Sequence, residues 1–335
     1  MMLAGDIGGT KTVLALLTAE AGVAGEMLCE TRFESGRFSS LEAIIVEFLR
    51  ETGARPVAAS FGVAGPVTDG RHAQITNLPW VINADSIRSA FDIPDVFLLN
   101  DLESIATAVP HLGGDDLCTL NQGTINPNGN IAVVAPGTGL GTAFLVRIDN
   151  GYKACASEGG HTSFSPRNLQ QMELLKFLQR RYGHVSFERI CSGSQLPNIY
   201  DFFKDHRSYP EPDWLRDELE KATDRTPVIV QAALDQKADI CEATLDVFVH
   251  ALGTVVGNMA VTLLPTGGIY LGGGIPPRIL DRLQQPDFLS AIADKGRFSS
   301  LLSGMPVHVI LDPKAALHGA AWFGLEALAK TNKAQ

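Results

Sequence analysis

Ala4-Gly5-Asp6-Ile7-Gly8-Gly9-Thr10-Lys11-Thr12-Val13-Leu14-Ala15-Leu16-Leu17 is an apolar run, a Gly-Thr turn and a second run of strand-forming residues. Such grammar predicts a β-hairpin whose glycines permit positive φ and leave backbone N–H groups uncovered. Val133-Val134-Ala135-Pro136-Gly137-Thr138-Gly139-Leu140-Gly141-Thr142-Ala143-Phe144-Leu145-Val146 repeats it. The repeat begins about 130 residues downstream, which predicts a duplicated hairpin at the start of each of two lobes.

Working outward, Leu41 to Arg50 places Leu41, Ile44, Ile45, Phe48 and Leu49 on one helical face. Val57 to Ala64 and Val96 to Leu99 read as strands, the second ending at Asn100-Asp101 with a helix over Leu102 to Val109. Asn168 and Gly183 bracket a helix over Leu169 to Tyr182 as cap and stop. Lys204 to Pro227 reads as a surface connection with a short helix. Ile269 to Leu271 is a buried strand running into Gly272-Gly273-Gly274, and Pro276 and Pro277 suit the first turn of a helix. Val307 to Leu311 and Ala315 to Ala329 read as the last strand and helix. No low-complexity linker separates the lobes.

The 335 residues suit two lobes better than one core. Net charge is −10, with 37 acidic against 27 basic side chains, which argues against a nucleic-acid partner. It leaves nucleotides open, because backbone N–H groups bind phosphate without cations. The five cysteines lie scattered, outside any metal-ligand spacing, so a reducing, cytoplasmic setting is expected. No signal peptide is visible ahead of Met2-Leu3-Ala4. Ala243 to Leu264 is long and apolar, yet it carries Asp246, His250 and Asn258, costly in hydrocarbon, and no basic flank. A buried helix is expected, with Gly253 and Gly257 admitting a close neighbour, and no membrane partner.

Asp6 closing a strand before Gly8-Gly9-Thr10 can hold hydrated Mg²⁺ beside phosphates that the turn's N–H groups receive. An ordinary hairpin turn has the same composition. Gly137-Thr138-Gly139-Leu140-Gly141 is neither a Walker loop nor a dinucleotide fingerprint, because a strand follows it. Paired with the first turn it suits a grip on a triphosphate. Gly272, Gly273 and Gly274 offer bare backbone to a base or ribose, or simply a tight strand-to-helix turn. Asp101, at a strand's carboxyl end, suits a base that accepts the proton of an attacking hydroxyl; it equally suits a helix N-cap. Glu158 and His161, around Gly159-Gly160, and Glu188 supply the fixed partners that sugar hydroxyls need, although each acid alone reads as a surface residue.

Taken in order, Gly5-Asp6-Ile7-Gly8-Gly9-Thr10, Asn100-Asp101, the Gly137 turn, Glu158-Gly159-Gly160-His161, Gly183-His184-Val185-Ser186-Phe187-Glu188-Arg189 and Leu271-Gly272-Gly273-Gly274-Ile275 resemble the bacterial glucokinase family of the actin, Hsp70 and hexokinase superfamily. The resemblance spans nearly the whole chain. It implies an α/β protein of two ribonuclease-H-like lobes, each with a five-stranded sheet, around a central cleft: an actin-like ATPase fold. Residues 1–111 with a returning helix at 314–335 would form the small lobe, and 112–313 the large one.

The resemblance further implies transfer of the γ-phosphoryl of ATP to the 6-hydroxyl of glucose. Asp101 would be the general base, and Asn100, Asp101, Glu158, His161 and Glu188 the glucose ligands. ATP would lie on Gly5, Asp6, Ile7, Gly8, Gly9, Thr10, Gly137, Thr138, Gly139, Gly141, Gly272, Gly273 and Gly274, with Mg²⁺ held through water by Asp6. The repressor/kinase (ROK) relatives carry a cysteine-rich zinc motif after the Glu-Gly-Gly-His-like segment. Here Thr162-Ser163-Phe164-Ser165-Pro166 follows, which implies the zinc-free branch. A homodimer is also implied. The alternatives are a kinase of another hexose or hexosamine, and a sugar-responsive regulator that has kept the fold. The acidic charge and the absence of room before the first strand for a helix-turn-helix argue against the regulator.

Overall fold

Both Gly-Thr hairpins form. The structure, a computed structural model, describes residues 1–18, 26–76, 78–149 and 151–334, with side chains to 330. Strands β1 (Met2–Ile7) and β2 (Lys11–Leu17) are antiparallel, with Gly5 opposite Leu14 and Ile7 opposite Thr12. The next strand, β3 (Met27–Glu34), lines the outer edge of β2. Helix α1 (Leu41–Thr52) follows, started by Ser40, whose hydroxyl accepts the Ala43 N–H, and stopped by Gly53 at φ +64°. Its Leu41, Ile44, Ile45 and Phe48 are fully buried, each worth about 1.5–3 kcal/mol of transfer free energy.

Strand β4 (Ala58–Val63) is buried along its length and runs parallel to β1. Three short strands, β5 (Val67–Thr68), β6 (His72–Gln74) and β7 (Val81–Asn83), make a small antiparallel sheet. Helix α2 (Ala84–Phe91), strand β8 (Asp95–Asn100) and helix α3 (Asp101–Ala108) complete this part, giving a sheet of order β3-β2-β1-β4-β8. Helix α3 begins one residue before the sequence reading, because Asn100 rather than Asp101 sits in the cap position.

Further along run β9 (Leu117–Asn121), β10 (Ile131–Pro136), β11 (Leu140–Ile148) and β12 (Gly151–Ser157). The helical stretch holds α4 (Leu169–Tyr182), α5 (Pro197–Asp201), α6 (Asp213–Lys221), α7 (Arg225–Leu234) and α8 (Asp239–Leu263). The predicted surface connection, Lys204 to Pro227, begins inside a π-helical turn at Phe202–His206 and is partly core, since α6 buries Leu215 and Leu219. After β13 (Gly268–Leu271), Pro276 opens a 3₁₀ turn rather than an α-helix. Then come α9 (Leu280–Leu283), α10 (Pro286–Ala293), α11 (Ser299–Ser303), β14 (Val307–Ile310) and α12 (Ala315–Ala334).

The second sheet has six strands, β12-β11-β10-β13-β14-β9, where five were expected. The extra strand is β9, which joins β14 antiparallel at the edge. Helix α8 is long and apolar enough to cross a membrane, but most of it is core. Its Gly253 and Gly257 meet α10: a Cβ on Gly253 would lie 2.7 Å from the Ala291 Cβ, and one on Gly257 2.4 Å from the Ile292 carbonyl oxygen.

Two compact units emerge. One comprises Met1–Gly113, Phe144–Ala156 and Asp312–Gln335; the other comprises Gly114–Ala143 and Ser157–Leu311. In the first, α12 lays Leu317, Ala321 and Leu325 onto Met2, Ala4, Ala15 and Ala58 of the sheet. In the second, α8 is the centre of one large apolar core with α4, α7 and the β10, β13 and β14 strands.

Candidate active site

In the first unit, parallel pairing puts Ile7 beside Val63 and Val63 beside Asn100. Asp6 and Asp101 therefore come to one carboxyl edge of the sheet, where α/β folds present ligand groups. Asn100 is fixed from both ends: its amide donates to the Gly65 carbonyl (3.0 Å) and its oxygen accepts the Leu102 N–H (3.0 Å). One oxygen of Asp101 accepts that same N–H at 2.9 Å. Burial is the main cause that pushes the Asp101 carboxyl up to about 6; the Leu102 N–H opposes the rise and the Asp6 carboxylate adds to it. Burial also raises Asp6, against the pull of Lys11.

The first glycine turn closes with the Gly8 N–H donating to the Lys11 carbonyl (2.9 Å). Ser35, fully buried just after β3, donates its hydroxyl to the Gly8 carbonyl (2.7 Å) and its N–H to the Thr10 carbonyl (3.1 Å). Within the motif Asp6, Gly8 and Gly9 are partly accessible and Thr10 is exposed. Gly5 and Ile7, expected among the nucleotide contacts, are buried: a Cβ on Gly5 would strike Phe61 at 2.7 Å, and Ile7 is core. Their part is to build the strand that carries Asp6.

In the second unit, β10 and β13 are parallel, with Val134 beside Leu271, so the Gly137 and Gly272 turns leave the same sheet edge. Gly272 donates to the Val134 carbonyl at 2.9 Å. Gly273, at φ +80°, has no room for a side chain, since a Cβ would sit 2.6 Å from the Pro136 carbonyl oxygen. Gly274 and Gly137 face open space. Gly273 is thus demanded by packing, whereas Gly137 and Gly274 are the bare positions open to a ligand.

Glu158 precedes the short turn Gly159–His161 and His161 ends it, with His161 Nε2 3.8 Å from Glu158 Oε2 and both side chains largely exposed. Thr142 Oγ1 and Ser157 Oγ receive the Gly159 N–H (3.0 and 3.1 Å), and a Cβ on Gly160 would collide with the Leu140 carbonyl oxygen. Packing on β11 therefore dictates the paired glycines and, through them, where the acid and the histidine stand. Glu188 comes to the Gly137 turn, its Oε2 accepting the Leu140 N–H at 2.9 Å.

Two groups escaped the sequence reading. Gly193-Ser194 lies against the Gly137 turn, and Ser35 supports the Gly8 turn. The only local trace is a short run of small residues, Ser192-Gly193-Ser194 and Ser35-Gly36. Among the described residues, no group of three His, Cys, Asp or Glu is placed to hold a metal. A cation that takes one carboxylate, substrate phosphates and water needs no such cluster, and Asp6 fits that donor set.

The glucokinase family model matches residues 3–327. Glucokinase of Nostoc punctiforme is 36% identical over 334 residues, covering 96% of this chain and 98% of that one. Glucokinase from an Antarctic psychrotroph aligns at TM-score 0.83 and 31% identity, over 96% of this chain and 98% of that one. A ROK family glucokinase from Streptomyces griseus, solved with glucose and AMPPNP, shares the fold at TM-score 0.62 and 20% identity, over 96% and 98% of the two chains. The architecture is that of the actin-like ATPase fold. A likeness that runs from β1 into α12 makes this chain a member of the glucokinase family.

Proposed function

We propose that this protein transfers the γ-phosphoryl group of ATP to the 6-hydroxyl of glucose, giving glucose 6-phosphate and ADP. The observation that carries the reading is Asp101. Its buried carboxyl, raised to about 6, is ionised at neutral pH yet basic enough to take a proton from a hydroxyl. In the reaction the sugar O6–H bond breaks toward Asp101 and a new O6–Pγ bond forms. The bond from Pγ to the β-γ bridging oxygen breaks, and ADP leaves with that oxygen.

Asn100, Asp101, Glu158, His161 and Glu188 are the proposed sugar ligands. Asn100 is held so firmly by Gly65 and Leu102 that its placement costs little on binding. The Gly8-Gly9-Thr10 and Gly137-Thr138-Gly139 turns, with Gly274, are proposed to receive the nucleotide. Mg²⁺, held through Asp6, supplies positive charge for the phosphates when bound. A cytoplasmic setting is supported by five free thiols, and a homodimer by the family resemblance alone.

The test is a coupled assay with ATP and Mg²⁺ across glucose, mannose, fructose, galactose and N-acetylglucosamine. The expected result is the highest kcat/KM with glucose. A higher value with another sugar moves the assignment to that hexose or hexosamine, and no ADP formation with any of them overturns the kinase reading.

A further inference from the structure

The second glycine turn is held by its carbonyls. The Gly137 carbonyl accepts the Gly193 N–H at 2.7 Å. The Thr138 carbonyl accepts twice from Ser194, from its N–H at 3.3 Å and its hydroxyl at 2.8 Å. Peptide groups are planar and trans, so a carbonyl pinned on one side sends the N–H of the same peptide to the other. The two N–H groups so directed belong to Thr138 and Gly139. Neither has a hydrogen-bond partner among the described residues, and the Cβ direction of Gly137 is open. Two successive N–H groups aimed the same way form an anion-binding nest.

The brace is itself anchored. Thr226, on the first turn of α7, donates its hydroxyl to the Gly193 carbonyl, and Asp224 caps that helix by accepting the Thr226 N–H at 3.0 Å. Gln195 donates to the Ser194 hydroxyl oxygen (3.3 Å), leaving that hydroxyl's proton to Thr138. The first unit solves the same problem alike: the Ser35 hydroxyl pins the Gly8 carbonyl from 27 residues away. In both turns a serine distant in sequence takes the carbonyl that would otherwise be free to turn toward a phosphate and repel it.

We infer that Ser194 is a positioning residue for phosphoryl transfer: through the Thr138 carbonyl it fixes the Thr138 and Gly139 N–H groups in the orientation that receives the nucleotide's phosphates. This rests on the reading of the Gly137 turn as a phosphate site. Ser194 touches the turn from behind and is exposed, so its replacement leaves the core untouched.

The experiment compares Ser194→Ala, Ser194→Thr and Gly137→Ala in steady-state kinetics and in titration calorimetry with AMPPNP. A Cβ at Gly137 meets no protein atom, so that variant folds; it obstructs only whatever enters the open side of the turn. Expected for Ser194→Ala is a rise of about three- to tenfold in KM for ATP and in Kd for AMPPNP, the range one ordinary hydrogen bond gives. KM for glucose and Tm stay near wild type, and Ser194→Thr, which keeps the hydroxyl, restores nucleotide binding. If Gly137→Ala weakens the nucleotide while Ser194→Ala does not, the brace is refuted and the phosphate turn stands. If Gly137→Ala leaves nucleotide binding unchanged, the phosphate turn falls and the inference falls with it. Equal losses in both substrates with a lowered Tm show Ser194 to be merely structural.

Discussion

Asp101 carries two burdens in one carboxylate. It shares the Leu102 N–H with Asn100, so the helix start does not depend on it alone. Because folding raises its pKa from 3.8 to about 6, the fold is most stable with Asp101 protonated. Stability from this group is therefore complete below pH 4 and is lost as pH rises through 6. Asp101→Asn removes the ionised form: at pH 7 stability should rise by on the order of 1–3 kcal/mol, while kcat falls about 10²–10⁴-fold. Turnover beside thermal denaturation checks both, and an Asn variant with near wild-type turnover eliminates Asp101 as the base. In the wild type, kcat/KM for glucose should climb with unit slope through an apparent pKa near 6 as the base ionises. A profile flat from pH 5 to 8 contradicts that assignment.

Among the elements, α8 shows how composition becomes packing. Its apolar run is long enough for a membrane span, yet Asp246, His250 and Asn258 point to a core helix, and Gly253 and Gly257 let α10 approach it closely. Gly257→Ala would press a methyl within 2.4 Å of the Ile292 carbonyl oxygen, a contact that backbone must move to relieve. The expected cost is about 1–3 kcal/mol, read as a lowered denaturation midpoint with the m-value unchanged. An unshifted midpoint would mean the two helices part without penalty. Helix α1, by contrast, was legible over Leu41 to Arg50 from its apolar spacing; the structure carries it to Thr52, with Ser40 as cap and Gly53 as stop. The start of α3 was not, because Asn100 and Asp101 are equally good caps by type, and only the tie from Asn100 to Gly65 selects the first.

Across the whole molecule, the last helix belongs to the first unit, and α12 closes a sheet whose strands lie near the other end of the chain. Gly319 marks how close the fit is, since a Cβ there would overlap the Ser104 carbonyl on α3. Deleting residues 314–335 should expose Met2, Ala4, Ala15 and Ala58, and make 1–113 sensitive to limited proteolysis. A truncated protein with the wild-type digestion pattern would show that the sheet face needs no cover. The hairpins, the glycine turns, the capped helices and the candidate acids were readable because each depends on residues a few positions apart, where backbone preference and side-chain period act. The strand β9 pairing with β14, the shared edge of Asp6 and Asp101, the raised carboxyl and the serine braces were not. Ser194 reaches Thr138 across 56 residues, and β9 meets its partner across most of the second unit. Such contacts are selected by burial and by the need to satisfy each backbone carbonyl, conditions that exist only once the chain has folded.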